Sequence, residues 1–594
     1  MTQSQAPNPN APDPQAVAAA FSALQQQLLA HWRAAHHSTP TQPNYATWVD
    51  SITAGLGAQP ERWQTLIQDY QHEQFELWQH YIGGTPITSP PPPLADRRFS
   101  ASEWQEPYYC YLAQSYLRTS AWLDALTNDL YTDPQKQRKL KVFTRQIIDA
   151  LCPANFPWSN PEAIKIAMAT EGASLRTGLS HLQADLNKGL LSMTDEQAFS
   201  VGTNLAVTPG AVVFENALMQ VLQYQALTPR VYQRPLVIIP PCINKYYILD
   251  LQAHNSFVRY AVAAGHTVFM VSWRNTPAEL GTQSWDDYVA NGVINALQVA
   301  QSISGVAQVN ALGFCIGGTL LSCALAVLRA RGDLPVASLT LLTTMLDFCD
   351  TGELGLFIDE AFVAQREARF TEGGVLDGRE LAMAFASLRA NDLIWPNVIT
   401  HYLKGRALPA FDLLYWNSDS TNLPGRFYAQ YLRHTYLENK LPKAGAWTVC
   451  DTPIDLSQID IPSYVMAAKD DHIVPWRSAY ASAQHLGGKV QFTLAASGHI
   501  AGVINPEAQH KRHFWRKPKL SRQSEDWLAR AKTIPGSWWP DWLAWLKPHA
   551  GPRRAAPAAL GHTDYPVIEA APGTYVKARL QPNAAASLKT PTNS

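Results

Sequence analysis

Between residues 307 and 328 the chain reads AQVNALGFCIGGTLLSCALAVL, and no other stretch restricts the possible folds as much. A β-rich apolar run ends at Phe314 and an apolar helical run begins at Ile316, so one residue makes the turn between them. Gly313-Phe314-Cys315-Ile316-Gly317 has the G-x-S-x-G spacing of a nucleophile elbow, with cysteine in the serine's place. An elbow strains its central residue, so the positions two away must be small, as Gly313 and Gly317 are. Gly318 allows close packing of the helix as well. A thiol at a helix N-terminus is also biased toward its reactive thiolate. The same five residues equally describe an inert cysteine buried ahead of a helix, and the rest of the chain has to decide.

After Pro209, short apolar runs alternate with helical ones. RPLVIIPP (234–241), HTVFMVSW (266–273), AQVNALGF (307–314), ASLTLLTTML (337–346), IPSYVMAAKDD (461–471) and KVQFTLAASGH (489–499) read as strands. The stretch 285–303 is one of the helices between them. This alternation predicts parallel βαβ units in an α/β sheet. Residues 346–450 lack the strand rhythm and carry Trp395, Tyr402, Tyr415 and Trp416; they read as a cap inserted over the sheet. The catalytic α/β domain therefore spans 201–594, with a tail from about 550. Upstream, 16–36, 60–82, 106–126 and much of 135–200 read as helices, with an extended linker at 90–93. Residues 16–200 are thus a mainly helical N-terminal domain for packing or docking. Residues 1–15, rich in Pro, Asn and Gln, are expected to be disordered.

Composition excludes several functions. Lys+Arg 47 against Asp+Glu 48 leaves a net charge of −1, so no global field draws nucleic acid or an anionic membrane. The seven cysteines contain no C-x-x-C pair and resemble neither a metal site nor a disulfide framework. No metal is expected. There is no apolar run of about 18 residues, so no transmembrane helix is expected. The first residues have neither a basic n-region nor an apolar h-region, which points to a cytoplasmic, reducing location.

Chain order separates the two readings of Cys315. In α/β-hydrolases the nucleophile precedes the acid, and the acid precedes the histidine, each at the C-terminal end of a strand. Asp471 follows the strand read over 461–468, in the turn DHIVP, and His499 follows QFTLAASG. Asp470 is the alternative acid and His472 the alternative histidine, whereas His266 opens a strand and reads as a packing residue. Apart from Cys242, the other cysteines read as ordinary buried thiols. An oxyanion hole needs backbone N–H groups. Ile316, after the nucleophile, offers one; Cys242 or Ile243 in PPCINKYYILDL offers the other, since Pro240 and Pro241 have none.

With these residues in place, the chain resembles the class I polyhydroxyalkanoate synthases over roughly residues 96–580. The resemblance rests on DRRFSASEW, NPEAIKIAMATEGASLRTGL, VGTNLAVTPGAVVFEN, PPCINKYYILDLQ, GFCIGG, LLYWNSDSTNLPG, DDHIVPW, SGHIAGVINP and GSWWPDWLAWL. It implies an α/β-hydrolase fold with Cys315 as nucleophile, His499 as general base and Asp471 as orienting acid or as base for the hydroxyl. It further implies polymerisation of (R)-3-hydroxyacyl-CoA, with short acyl chains such as 3-hydroxybutyryl. No cofactor is expected, coenzyme A being the substrate's leaving group. A homodimer at the surface of polyester granules, contacting the growing chain and granule-associated proteins, is implied too. A cysteine-type thioesterase or polyester depolymerase would share the triad, and an inactive granule scaffold would share the fold.

Overall fold

The computed structural model describes residues 45–83 and 94–580. The expected disorder at 1–15, the helix over 16–36 and the linker at 90–93 lie outside those residues. The chain divides into two units, one of residues up to 195 with 383–409, the other of 196–382 with 410–581.

The first unit is helical: Tyr45–Ala58, Pro60–Tyr81, Pro107–Thr127, Pro134–Ala150, Pro161–Ala169 and Ala173–Lys188. Proline opens four of these, at a position whose N–H has no intrahelical partner to lose. Asp133 and Asn160 cap two of them, accepting from the N–H of Gln135 at 2.8 Å and of Ala163 at 3.0 Å.

This unit also takes part of the expected cap. Val398, Tyr402 and Leu403 share a core with Ala163, Ala167, Leu175 and Leu182. Tyr402 donates its hydroxyl to Asp185 at 2.6 Å, and Lys404 pairs with Glu162 at 2.6 Å. The reading of 346–450 as one insertion over the sheet is therefore corrected. Apolar side chains on 398–403 find their burial against the Ala173–Lys188 helix, and only the flanking stretches stay with the sheet-bearing unit.

The second unit is built on an eleven-stranded sheet. Along the chain its strands are β1 Gly210–Glu215, β2 Met219–Tyr224, β3 Leu236–Ile239, β4 Val268–Trp273, β5 Val309–Phe314 and β6 Val336–Leu342. They continue as β7 Ser463–Ala468, β8 Val490–Ala495, β9 His513–Lys517, β10 Lys532–Pro535 and β11 Glu569–Ala570. Their order across the sheet is β10-β9-β8-β7-β6-β5-β3-β4-β2-β1-β11. The six strands from β8 to β4 in that order are parallel, and those outside them pair antiparallel. They are the six runs read from the sequence. β3, β4, β5 and β7 are buried at every position, which is why they appear as unbroken apolar runs without alternation.

This is the α/β-hydrolase architecture expected. The helical stretch at 285–303 is continuous but widens into a π-helix over Tyr288–Ile294. The expected tail is also corrected. Arg553–Ala555 pairs with Arg230–Tyr232, β11 pairs with β1, and Tyr575 donates its hydroxyl to Asn216 O at 2.9 Å. Backbone groups left open at the β1 edge are what recruit β11.

Candidate active site

Parallel strands bring their C-terminal ends to one edge of the sheet, and Cys315, Asp471 and His499 follow the ends of β5, β7 and β8. Phe314 is the last residue of β5 and Ile316 the first of the helix Ile316–Ala330, so Cys315 turns alone. Its φ is 53° and its ψ −129°. A non-glycine residue pays about 1–3 kcal/mol to stay in such a region. Hydrogen bonds from Cys315 N–H to Leu342 O (2.9 Å) and from Gly318 N–H to Cys315 O (2.9 Å) hold it there. The flanking glycines leave no room for a side chain. A Cβ at Gly313 would lie 2.4 Å from the Cα of Gly318, and one at Gly317 2.3 Å from the carbonyl oxygen of Ile239.

His499 Nδ1 lies 2.7 Å from Asp471 Oδ2, and both side chains are buried. The other oxygen, Oδ1, accepts the N–H groups of Ile473 (2.9 Å) and Val474 (2.8 Å). Asp470 does not take this place: its side chain is exposed and its N–H donates to Ser497 O at 3.0 Å. The His499 ring stacks on Phe314, centroids 5.7 Å apart, and Cys315 is near enough to act on its charge. Burial alone would discharge the ring. The Asp471 carboxylate, and then Cys315, outweigh it and push the imidazolium up to about 10. His472 is half-buried in the turn, and His266 is buried against Tyr232, where desolvation pushes it down to about 4.

Ile316 N–H is the first of its helix and has no partner within it. The loop after β3 runs alongside, since Ile239 and Pro240 crowd Gly317. Cys242, in that loop, is buried, and burial followed by the nearby Cys315 pushes its thiol up. The reading of the remaining cysteines needs one correction. Cys110, Cys152 and Cys323 are buried, but Cys349 is exposed and Cys450 half-buried, because both sit in turns between elements.

Several groups around Cys315 were not anticipated. Tyr431 and Tyr436 meet edge to face at 5.6 Å, and Cys315 contributes to raising both phenols after burial has done so. The stretch Trp416–Thr421 touches the loop after β3. The polar run Asn417–Asn422 between large aromatics was the signal available for it. Among the described residues no group of three or more His, Cys, Asp or Glu side chains is placed to hold a metal ion.

An elbow cysteine with an ordered acid and histidine on a parallel sheet defines an α/β-hydrolase-fold enzyme, and residues 235–506 match the family model described as alpha/beta hydrolase fold. Residues 95–261 match the model of the poly-beta-hydroxybutyrate polymerase (PhaC) N-terminus. The chain is 49% identical over 532 residues to the poly(3-hydroxyalkanoate) polymerase subunit PhaC of Cupriavidus necator, covering 89% of this chain and 90% of the relative. It is 37% identical over 587 residues to the protein of the same name from Rhizobium meliloti, covering 96% of each. The chain belongs to the poly(3-hydroxyalkanoate) polymerase family.

Proposed function

We infer that this enzyme polymerises (R)-3-hydroxyacyl-CoA into polyhydroxyalkanoate with release of coenzyme A. In this reading the Cys315 proton already rests on His499, which the Asp471 carboxylate keeps charged, and the thiolate attacks the thioester carbonyl. The oxyanion is met by the Ile316 N–H and by an N–H of the loop at Cys242. The bond from carbonyl carbon to CoA sulfur then breaks, and the proton held by His499 leaves with the CoA thiol.

One thioester has replaced another, so the acyl group stays activated. His499 next draws the proton from the 3-hydroxyl of a monomer or chain end, and that oxygen displaces Cys315 as an ester forms. Asp471 orients the ring or shares the second deprotonation. A serine ester would have surrendered the activation that this step uses. The observation that carries the reading is the 2.7 Å Asp471–His499 bond beside a strained cysteine.

We also propose short acyl chains, 3-hydroxybutyryl-CoA first, and action as a homodimer on the polyester granule without metal or added cofactor. An insoluble product that returns to Cys315 for each extension draws the enzyme to the granule surface. Among the described residues no helix is long and apolar enough to cross a membrane.

Incubation with (R)-3-hydroxybutyryl-CoA tests the function. Free thiol and insoluble polyester should accumulate together. Thiol with soluble 3-hydroxybutyrate and no polymer would make the protein a cysteine hydrolase. Polymer formed by Cys315→Ala would remove Cys315 as nucleophile.

A further inference from the structure

One buried polar cluster has no part in the chemistry above. Lys245 Nζ and Asp419 Oδ1 pair at 2.7 Å, with side chains 3% and 5% exposed. Taking two charges out of water is costly, and apolar residues of similar volume would serve stability as well. The pair therefore calls for a role in geometry. Tyr247 donates its hydroxyl to the other oxygen of Asp419 at 2.9 Å, and Trp416 Nε1 donates to the carbonyl of Lys245 at 2.6 Å.

Thr421 completes the arrangement with a single hydroxyl used twice. Its Oγ1 donates to Cys242 O at 3.0 Å and accepts the N–H of Asn244 at 3.1 Å. Asn244 has a φ of 62°, and its Nδ2 reaches the carbonyls of Trp416 (3.4 Å) and Asn417 (3.3 Å). Cys242, Asn244 and Lys245 are thus each fastened to Trp416–Thr421, a stretch more than 160 residues away (Thr421 lies 179 beyond Cys242). The loop has left the β3 ladder here, and Pro240 and Pro241 supply no N–H, so its shape depends on these outside bonds.

We propose that Thr421 and Asp419 are positioning residues for acyl transfer. They hold the Cys242–Ile243 N–H groups where the oxyanion of the tetrahedral intermediate forms. A donor must sit within about 0.5 Å of its productive place to stabilise that charge. A loop without ladder bonds needs an external clamp to meet the tolerance. This inference rests on the proposed acyl-transfer chemistry and adds the residues that make its second donor usable.

The test compares two reactions of the same thiol. Thioester attack passes through an oxyanion, whereas alkylation of Cys315 by iodoacetamide does not. Thr421→Val keeps the volume and removes both hydrogen bonds; Thr421→Ser restores them. With Thr421→Val, kcat for CoA release should fall on the order of 10²–10³-fold, the effect of losing one oxyanion donor. KM should stay within about twofold, alkylation should keep the wild-type rate, and Thr421→Ser should return kcat to within about threefold of wild type.

An unchanged kcat in Thr421→Val would overturn the proposal, as would an alkylation rate that falls in step with kcat. The double variant Lys245→Met/Asp419→Leu removes the pair without stranding a charge. It should stay folded by circular dichroism and show the same split between the two reactions; equal slowing of both would count against Asp419. CoA release is common to polymerase and hydrolase, so failure of the polymerase reading would show as missing polymer and leave this comparison standing.

Discussion

Asp471 and His499 reach each other across 2.7 Å from the ends of two neighbouring parallel strands, and neither oxygen of the carboxylate is idle. Oδ2 faces the ring, while Oδ1 is pinned by the N–H groups of Ile473 and Val474. The carboxylate therefore cannot swing away from the imidazole without abandoning two backbone donors. That fixes Nδ1 toward the acid and turns Nε2 away from it.

Asp471→Asn should keep the fold and most of the contact geometry while removing the charge that supports the imidazolium. CoA release should fall on the order of 10²–10⁴-fold, as when an orienting acid is made neutral. Stopped-flow detection of the free thiol measures it, with circular dichroism as the control. A loss smaller than tenfold would confine Asp471 to a structural role.

The His499 ring links the site to pH-dependent stability. Its folded value of about 10 lies above the ordinary 6.5, so its contribution is fully present below pH 6.5 and is lost as pH rises through about 10. His499→Gln lacks that contribution. The gap in Tm between wild type and variant should be widest below pH 6.5 and should narrow as pH climbs to 10. A gap that stays constant over this window would contradict the raised value.

Cys315→Gly should trade activity for stability. Glycine adopts positive φ at no steric cost, so the strain of about 1–3 kcal/mol disappears, less the roughly 0.5–1 kcal/mol of extra chain entropy glycine loses on folding. Thermal unfolding should therefore show a higher Tm, and CoA release should be abolished. A lower Tm would mean that the thiol contributes more to packing than the turn costs.

Gly317→Ala should act in the opposite direction. The added Cβ meets two backbone carbonyl oxygens, Ile239 O at 2.3 Å and Pro240 O at 2.5 Å, and neither can step aside as a flexible side chain would. Destabilisation of about 1–3 kcal/mol is expected, with lost activity, because the elbow and the loop after β3 must separate. Urea unfolding of the variant beside wild type checks it, and an unchanged midpoint would refute the close approach.

The parallel sheet was legible because its strands are buried on both faces, so each appears as a short apolar run with no competing pattern. β1, β2 and β9 to β11 escaped notice: they are edge or antiparallel strands whose residues mix polar and apolar types. The positions of Cys315, Asp471 and His499 could be read from order along the chain, since strand ends in a parallel sheet converge wherever the helices between them fall. The Lys245–Asp419 pair could not, because nothing local in either segment records that the other lies against it. The same holds for 398–403, whose aromatic content gave burial without saying against which surface.

The pairing of β11 with β1 has a consequence during synthesis. Translation has delivered Cys315, Asp471 and His499 by residue 499, yet the strand that covers the β1 edge is made only at Glu569–Ala570. A nascent chain thus carries Cys315, Asp471 and His499 while one margin of the sheet is still open to other strands, the condition under which unfinished β proteins misassociate. Glu569–Ala570 is thus the last strand to join the sheet, and recombinant versions shortened before it should be lost to aggregation more than to inactivity.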